Sequence, residues 1–181
     1  MGILDVKLIT VSVVKQYRKI STNIPDADIE MCIVEAQDLD IRSTLTDKFF
    51  YDLLNAHLTS PVDTIFSDIV NGKSYENTAG ETVYFRGLAP VIALFAYARL
   101  IRNVKDVNLT RFGVVKKTNE NSEIADDEAV NKAVGSARET AKAYLQDVLT
   151  FLNDQQESYD NWITGSNKSA GTMRITKVNK V

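Results

Sequence analysis

Residues 88–101 read LAPVIALFAYARLI, and Arg99 is the one charged side chain among them. Such a run fits a helix with no polar side, which is stable only when other elements cover it all round. At about 14 residues, or ~21 Å, it falls short of the ~20 residues that a bilayer span needs. The chain must therefore be organised around a helix buried in protein. With 181 residues it is long enough to bury that helix in one core without staples.

Apolar spacing predicts four more helices. The first, 26–42, follows Pro25 and carries Asp26 and Asp28 in its opening turn, where acidic groups complement the helix dipole. Its buried stripe is Ile29, Cys32, Ile33, Ala36 and Leu39. The second, 45–58, repeats Leu45, Phe49 and Leu53 at four-residue steps. A break near Ser43–Thr44 would fold these two into an antiparallel hairpin. The third, 61–70, begins at Pro61 beside Asp63 and sets Val62, Ile65, Phe66 and Ile69 on one face. The central helix runs 88–103. The fifth and longest starts after Ser122, opens on Asp126, Asp127 and Glu128, and carries a stripe from Val130 through Val134, Ala137, Ala141, Leu145 and Val148 to Leu152.

Strand signals are few. Residues 73–86, KSYENTAGETVYFR, predict a small hairpin turning near Thr78–Gly80. Residues 106–121 read as an extended loop. The fold class is therefore mainly α, a bundle of about five helices with a small β-hairpin, an extended loop and a C-terminal tail. Residues 1–162 form the helical domain. Residues 163–181, rich in Gly, Ser and Lys, form a tail that needs a partner to order it. Within the tail, 173–178 alternate as an added edge strand does, with Met173 and Ile175 on one face.

Motifs for chemistry are sparse. The sequence has no G-x-S-x-G, no Gly-rich phosphate loop and no clustered Cys/His ligands, so no enzyme, metal or cofactor is expected. His57 continues the Leu45/Phe49/Leu53 stripe and reads as a packed imidazole. Cys32, the one cysteine, reads as a small buried hydrophobe. The acidic pairs Asp38/Asp40 and Asp126/Asp127 read as solvated charge. The N-terminus has no secretory leader pattern and no myristoylation signal, so the protein is expected to be cytoplasmic where it is made, with no membrane partner.

The net charge of −3 argues against an obligate nucleic-acid binder. Basic residues nonetheless gather at Arg99, Arg102, Lys105, Arg111, Lys116 and Lys117. Three readings stand open for them. They satisfy the last carbonyls of the central helix and keep the following loop soluble, they dock an acidic protein partner, or they line a DNA path. Arg99, Arg102, Arg111, Lys116, Lys117, Met173 and Ile175 are accordingly the candidate partner-binding residues.

The order of elements also resembles a known family. It runs from Ile29 to Ile41 with Glu35-Ala36-Gln37, then Phe49, Tyr51, Leu53 and Leu54. Tyr84, Arg86, Gly87 and Leu88 then lead into Phe95, Tyr97, Ala98 and Arg99, followed by Thr110, Gly113-Val114-Val115 and Ser122 before the last helix. Across residues 8–160 this arrangement is similar to the head-to-tail connector (neck adaptor or ring) proteins of tailed bacteriophages. The resemblance implies a structural virion protein without catalytic residues, assembled in the host cytoplasm. It would form a ring, commonly of twelve copies, on a portal protein and other neck or tail proteins, with genomic DNA passing through. The alternative class is a helical nucleic-acid-binding regulatory or packaging module, which would need a recognition helix with exposed base-reading side chains.

Overall fold

A computed structural model describes residues 2–59, 64–103, 107–110, 113–116, 127–159 and 161–162. The molecule is mainly helical. In order come α1 (Val11–Tyr17), α2 (Asp26–Glu35), a π-helical stretch (Ala36–Ile41), α3 (Arg42–Leu45), α4 (Asp47–Leu58) and α5 (Thr64–Asn71). The hairpin β1 (Lys73–Glu76) and β2 (Thr82–Phe85) precedes α6 (Leu88–Asn103). A second hairpin, β3 (Val107–Thr110) and β4 (Gly113–Lys116), precedes α7 (Asp127–Asp154).

The helix without a polar side is the axis of the fold. Twelve of the 16 residues of α6 are buried, so it presents no face to solvent. Its longest neighbour is α7, with α2, α1, the π stretch and α5 completing the cover. The packing face of α7 is Val134, Ala137, Ala141, Leu145, Val148 and Leu152, the spacing of three and four that keeps side chains on one stripe. Phe151 adds a second row, and its ring stacks on Phe85 of β2 with centroids 4.1 Å apart. Tyr75 of β1 meets the same ring edge-on at 4.9 Å, so aromatic contact fastens the first hairpin to the bundle. The β1–β2 pairing is antiparallel, Lys73 opposite Phe85 and Glu76 opposite Thr82.

Four expectations are corrected. The run from residue 26 does not stop near Ser43–Thr44. It continues to Leu45 and breaks at Thr46, where φ is +71° and ψ 147°, a left-handed conformation for a residue with a branched side chain. Nor do 26–42 and 45–58 form a helical hairpin, since α2 packs chiefly on α6, which offers apolar surface on every side. Leu39 is 61% exposed rather than buried. The cause is the π stretch, in which Arg42 N–H reaches back five residues to Gln37 O. The wider turn shifts the helix register, bringing Gln37 and Ile41 inward in place of Leu39. Finally, the segment expected to be an extended loop contains strands β3 and β4, paired antiparallel from Val107 opposite Lys116 to Thr110 opposite Gly113. Helix α1 lies in a segment for which no helix was expected.

Gln37 is a polar residue held in the core, 1% exposed. Its side chain acts as a neighbouring strand would for the N-terminal segment. Leu8 N–H donates to Oε1 at 2.7 Å, and Nε2 donates to Val6 O at 2.9 Å. Both ends of the amide are thus satisfied, and Val6, Leu8 and Ile9 are held in the core. Gln37→Leu keeps the bulk but leaves a backbone donor and acceptor buried without partners. We expect a loss of about 2 kcal/mol in urea unfolding, with the amides of residues 6–9 exchanging faster than those of α6. A change under about 0.5 kcal/mol would mean that water replaces the amide there.

Candidate interaction surface

The basic cluster separates into members with different surroundings. Arg99 is an interior residue, its side chain 12% exposed. Its Nε and Nη2 lie 2.9 and 2.8 Å from Oδ2 of Asp40, and Nη1 lies 3.5 Å from Glu35 Oε2. The other oxygen of Asp40 receives Arg138 Nη2 at 2.9 Å, and the Arg138 guanidinium lies over the Phe95 ring at 5.4 Å. Asp40, 8% exposed, is therefore a buried carboxylate between two guanidiniums and not the solvated charge that its sequence neighbourhood implied. The network ties the π stretch to α6 and α7 across 59 and 98 residues of sequence.

Arg102 is exposed in the last turn of α6. Lys116 belongs to β4. Arg111, Lys117, Met173 and Ile175 lie outside the described residues, as do Lys105 and Asp126. Strand β4 is pinned to the body at its middle: Val114 is fully buried, Ser21 N–H donates to Val114 O at 2.7 Å, and Val114 N–H donates to Lys19 O at 3.1 Å. An isolated parallel bridge between Ile20 and Val114 makes β4 the inner strand, with Lys19–Ser21 on one side and β3 on the other.

The described chain ends in an anchor that the sequence reading missed. The Trp162 ring lies 5.4 Å from Phe49, its indole N–H donates to Asn153 Oδ1 at 2.9 Å, and Asn161 Nδ2 donates to Asp52 Oδ2 at 2.6 Å.

A concavity lies at the far end of α4. An open groove of about 430 Å³ runs between the N-terminal segment, the start of α2 and the end of α4. Ile9 and Val11 contribute apolar walls, and Leu58 stands in it 50% exposed. Lys7 bonds Glu30 at 2.8 Å on its rim, and Lys15 bonds Asp26 at 2.7 Å. His57 is half-buried in the wall, between the buried stripe of α4 and the open space. We expect His57→Gln to cost less than about 1 kcal/mol in thermal unfolding, because the imidazole is only half-buried at the edge of the α4 stripe. A loss well above that would make it a core packing element.

Cys32 is buried as expected, and burial raises its thiol pKa to about 12, far from a thiolate at neutral pH. Among the described residues no three His, Cys, Asp or Glu side chains come together as metal ligands, and no helix is long and apolar enough to cross a membrane.

A family model, described as a family of unknown function (DUF6712), matches residues 41–172. The chain belongs to that family. The DUF6712 region takes in α4 to α7, both hairpins, Arg99 and Arg138, and it begins one residue after Asp40. His57 and Leu58 of the groove fall inside it, whereas Lys7, Ile9 and Glu30 fall outside. No curated protein and no solved structure matches the chain.

Proposed function

We propose that this chain is a structural virion protein, a head-to-tail connector that forms a ring beneath the portal and helps join the DNA-filled head to the tail. The observation that carries the reading is the use made of the interior polar groups. Arg99, Asp40 and Gln37, with the partly exposed Arg138, hold elements together, while strand β4 and Trp162 are anchored on the body. Such a molecule is built to make contacts. Head-to-tail contacts between identical copies close into a ring when the rotation closes, and a ring provides the channel a DNA conduit needs.

Peptide mass spectrometry of purified particles, with antibody labelling imaged by electron microscopy, tests this directly. Label at the head–tail junction is the expected result. Absence from particles, together with tight binding of duplex DNA by a small free oligomer, would favour the regulatory module. Deleting 164–181 is expected to leave helicity and the thermal midpoint nearly unchanged while abolishing attachment to the portal or a neighbouring ring. Unfolding of the truncated chain would place the tail in its own core, and normal attachment would remove its assembly role.

A further inference from the structure

We infer that the groove between the N-terminal segment, α2 and α4 receives residues 173–178 of a second copy of this chain. The inference deepens the connector reading and rests on it only for its biological setting. Three observations converge.

First, the groove is apolar within and carries two partly exposed ion pairs at its rim. Ile9, Val11 and Leu58 offer the apolar surface, and Asp26 and Glu30 stand beside it. Their pairs with Lys15 and Lys7 are partly exposed, and exposed pairs hold so weakly that an incoming cation can share the carboxylates.

Second, the tail has the matching chemistry. Residues 163–181 contain Lys168, Arg174, Lys177 and Lys180 and no acidic residue, so the preceding 162 residues carry 17 basic side chains against 24 acidic ones. The body is acidic and the tail basic. In an extended segment Met173 and Ile175 fall on one face about 7 Å apart, with Arg174 and Lys177 available to the rim. A cavity of about 430 Å³ suits a few such side chains rather than a folded domain.

Third, the reach is sufficient. Ten residues, 163–172, separate the Trp162 anchor from Met173, and fully extended they span up to ~35 Å, enough to leave one copy for the next. Each copy then carries one groove and one tail, which makes the contact heterologous and able to propagate around a ring.

The test uses full-length chains in sedimentation velocity across a concentration series. Leu58→Glu puts a charge in the groove and Ile175→Glu puts one on the tail. Each is expected to weaken self-association by about tenfold or more, as loss of an interface anchor does, with unchanged circular dichroism. Mixing the two variants restores one junction, because the Ile175→Glu chain keeps an intact groove and the Leu58→Glu chain keeps an intact tail. The mixture is therefore expected to form heterodimers and nothing larger. Should Leu58→Glu fail to fold, Ser12→Arg on the exposed side of α1 supplies the groove variant. Association should also fall with added salt, because the attraction joins opposite charges. Self-association unaffected by either variant, or a mixture that stays monomeric, overturns the inference. The connector reading would survive that result, since it is judged on particles.

Discussion

Replacing Gly87 with alanine is expected to cost about 3 kcal/mol or more, because strain in a left-handed backbone adds to a clash with main chain. Gly72 and Gly87 flank the first hairpin and press their backbones together, at φ of +79° and +75°. A Cβ on Gly87 would sit 2.4 Å from Gly72 N and 2.4 Å from Val70 O, and one on Gly72 would sit 2.3 Å from Phe85 O. Every obstacle is backbone, so no side chain can swing aside. Two other glycines calibrate the result. Gly80 has φ of +80° but open surroundings, so its alanine variant should lose only about 1 kcal/mol. Gly135 lies within α7 with nothing near its missing Cβ, and Gly135→Ala should gain about 0.5–1 kcal/mol. Urea unfolding of the three variants should rank them in that order. Equal effects at Gly87 and Gly80 would show that the hairpin base relaxes.

Asp40→Asn is the second large effect, a loss of about 3 kcal/mol, because a buried carboxylate is removed from between two guanidiniums. Arg99 then has a carboxylate only at 3.5 Å, in Glu35, while remaining largely shielded from water, and the amide of Asn returns one acceptor oxygen in place of a charge. The informative comparison is Asp40→Leu combined with Arg99→Met. Replacing both charges by apolar groups removes the stranded ion, so the double variant should recover much of the loss. The deficit of the single variant should also persist in high salt, whereas the exposed Lys15–Asp26 pair should contribute little at any salt. A loss under about 0.5 kcal/mol for Asp40→Asn would mean that water already screens the cluster.

The legible part of this fold is the part that local pattern dictates. Fourteen residues with one charge announce α6, a three-and-four apolar rhythm announces α7, and Ala79-Gly80 between β-prone runs announces the first hairpin. Helix α1 was hidden because VSVVKQY carries three valines, whose branched side chains favour strands, and it is packing on α6 and α2 that makes the segment helical. The second hairpin lacks an Asn-Gly type signal, since Arg111-Phe112 stand between its strands. The interaction surface was least legible of all. Arg99 looks like its basic neighbours until Asp40 and Arg138 are brought to it from distant segments, and the groove joins three elements that no sequence period connects.

The π stretch carries a consequence for how this chain tolerates changes in length. A helix that steps five residues per hydrogen bond at one point holds a residue more than an α-helix of equal span would need. Deleting one position within 36–41 would let the ordinary ladder close and leave the flanking helices in register, but the side chains inside the stretch would be redistributed around the axis. Gln37 and Asp40 could not then both keep their partners, one on the N-terminal segment and the other on α6 and α7. The two groups are thus bound to a residue count as much as to their own chemistry. A natural variant one residue shorter here should have abandoned both side chains together, an inheritance pattern that ordinary substitution at either position would not produce.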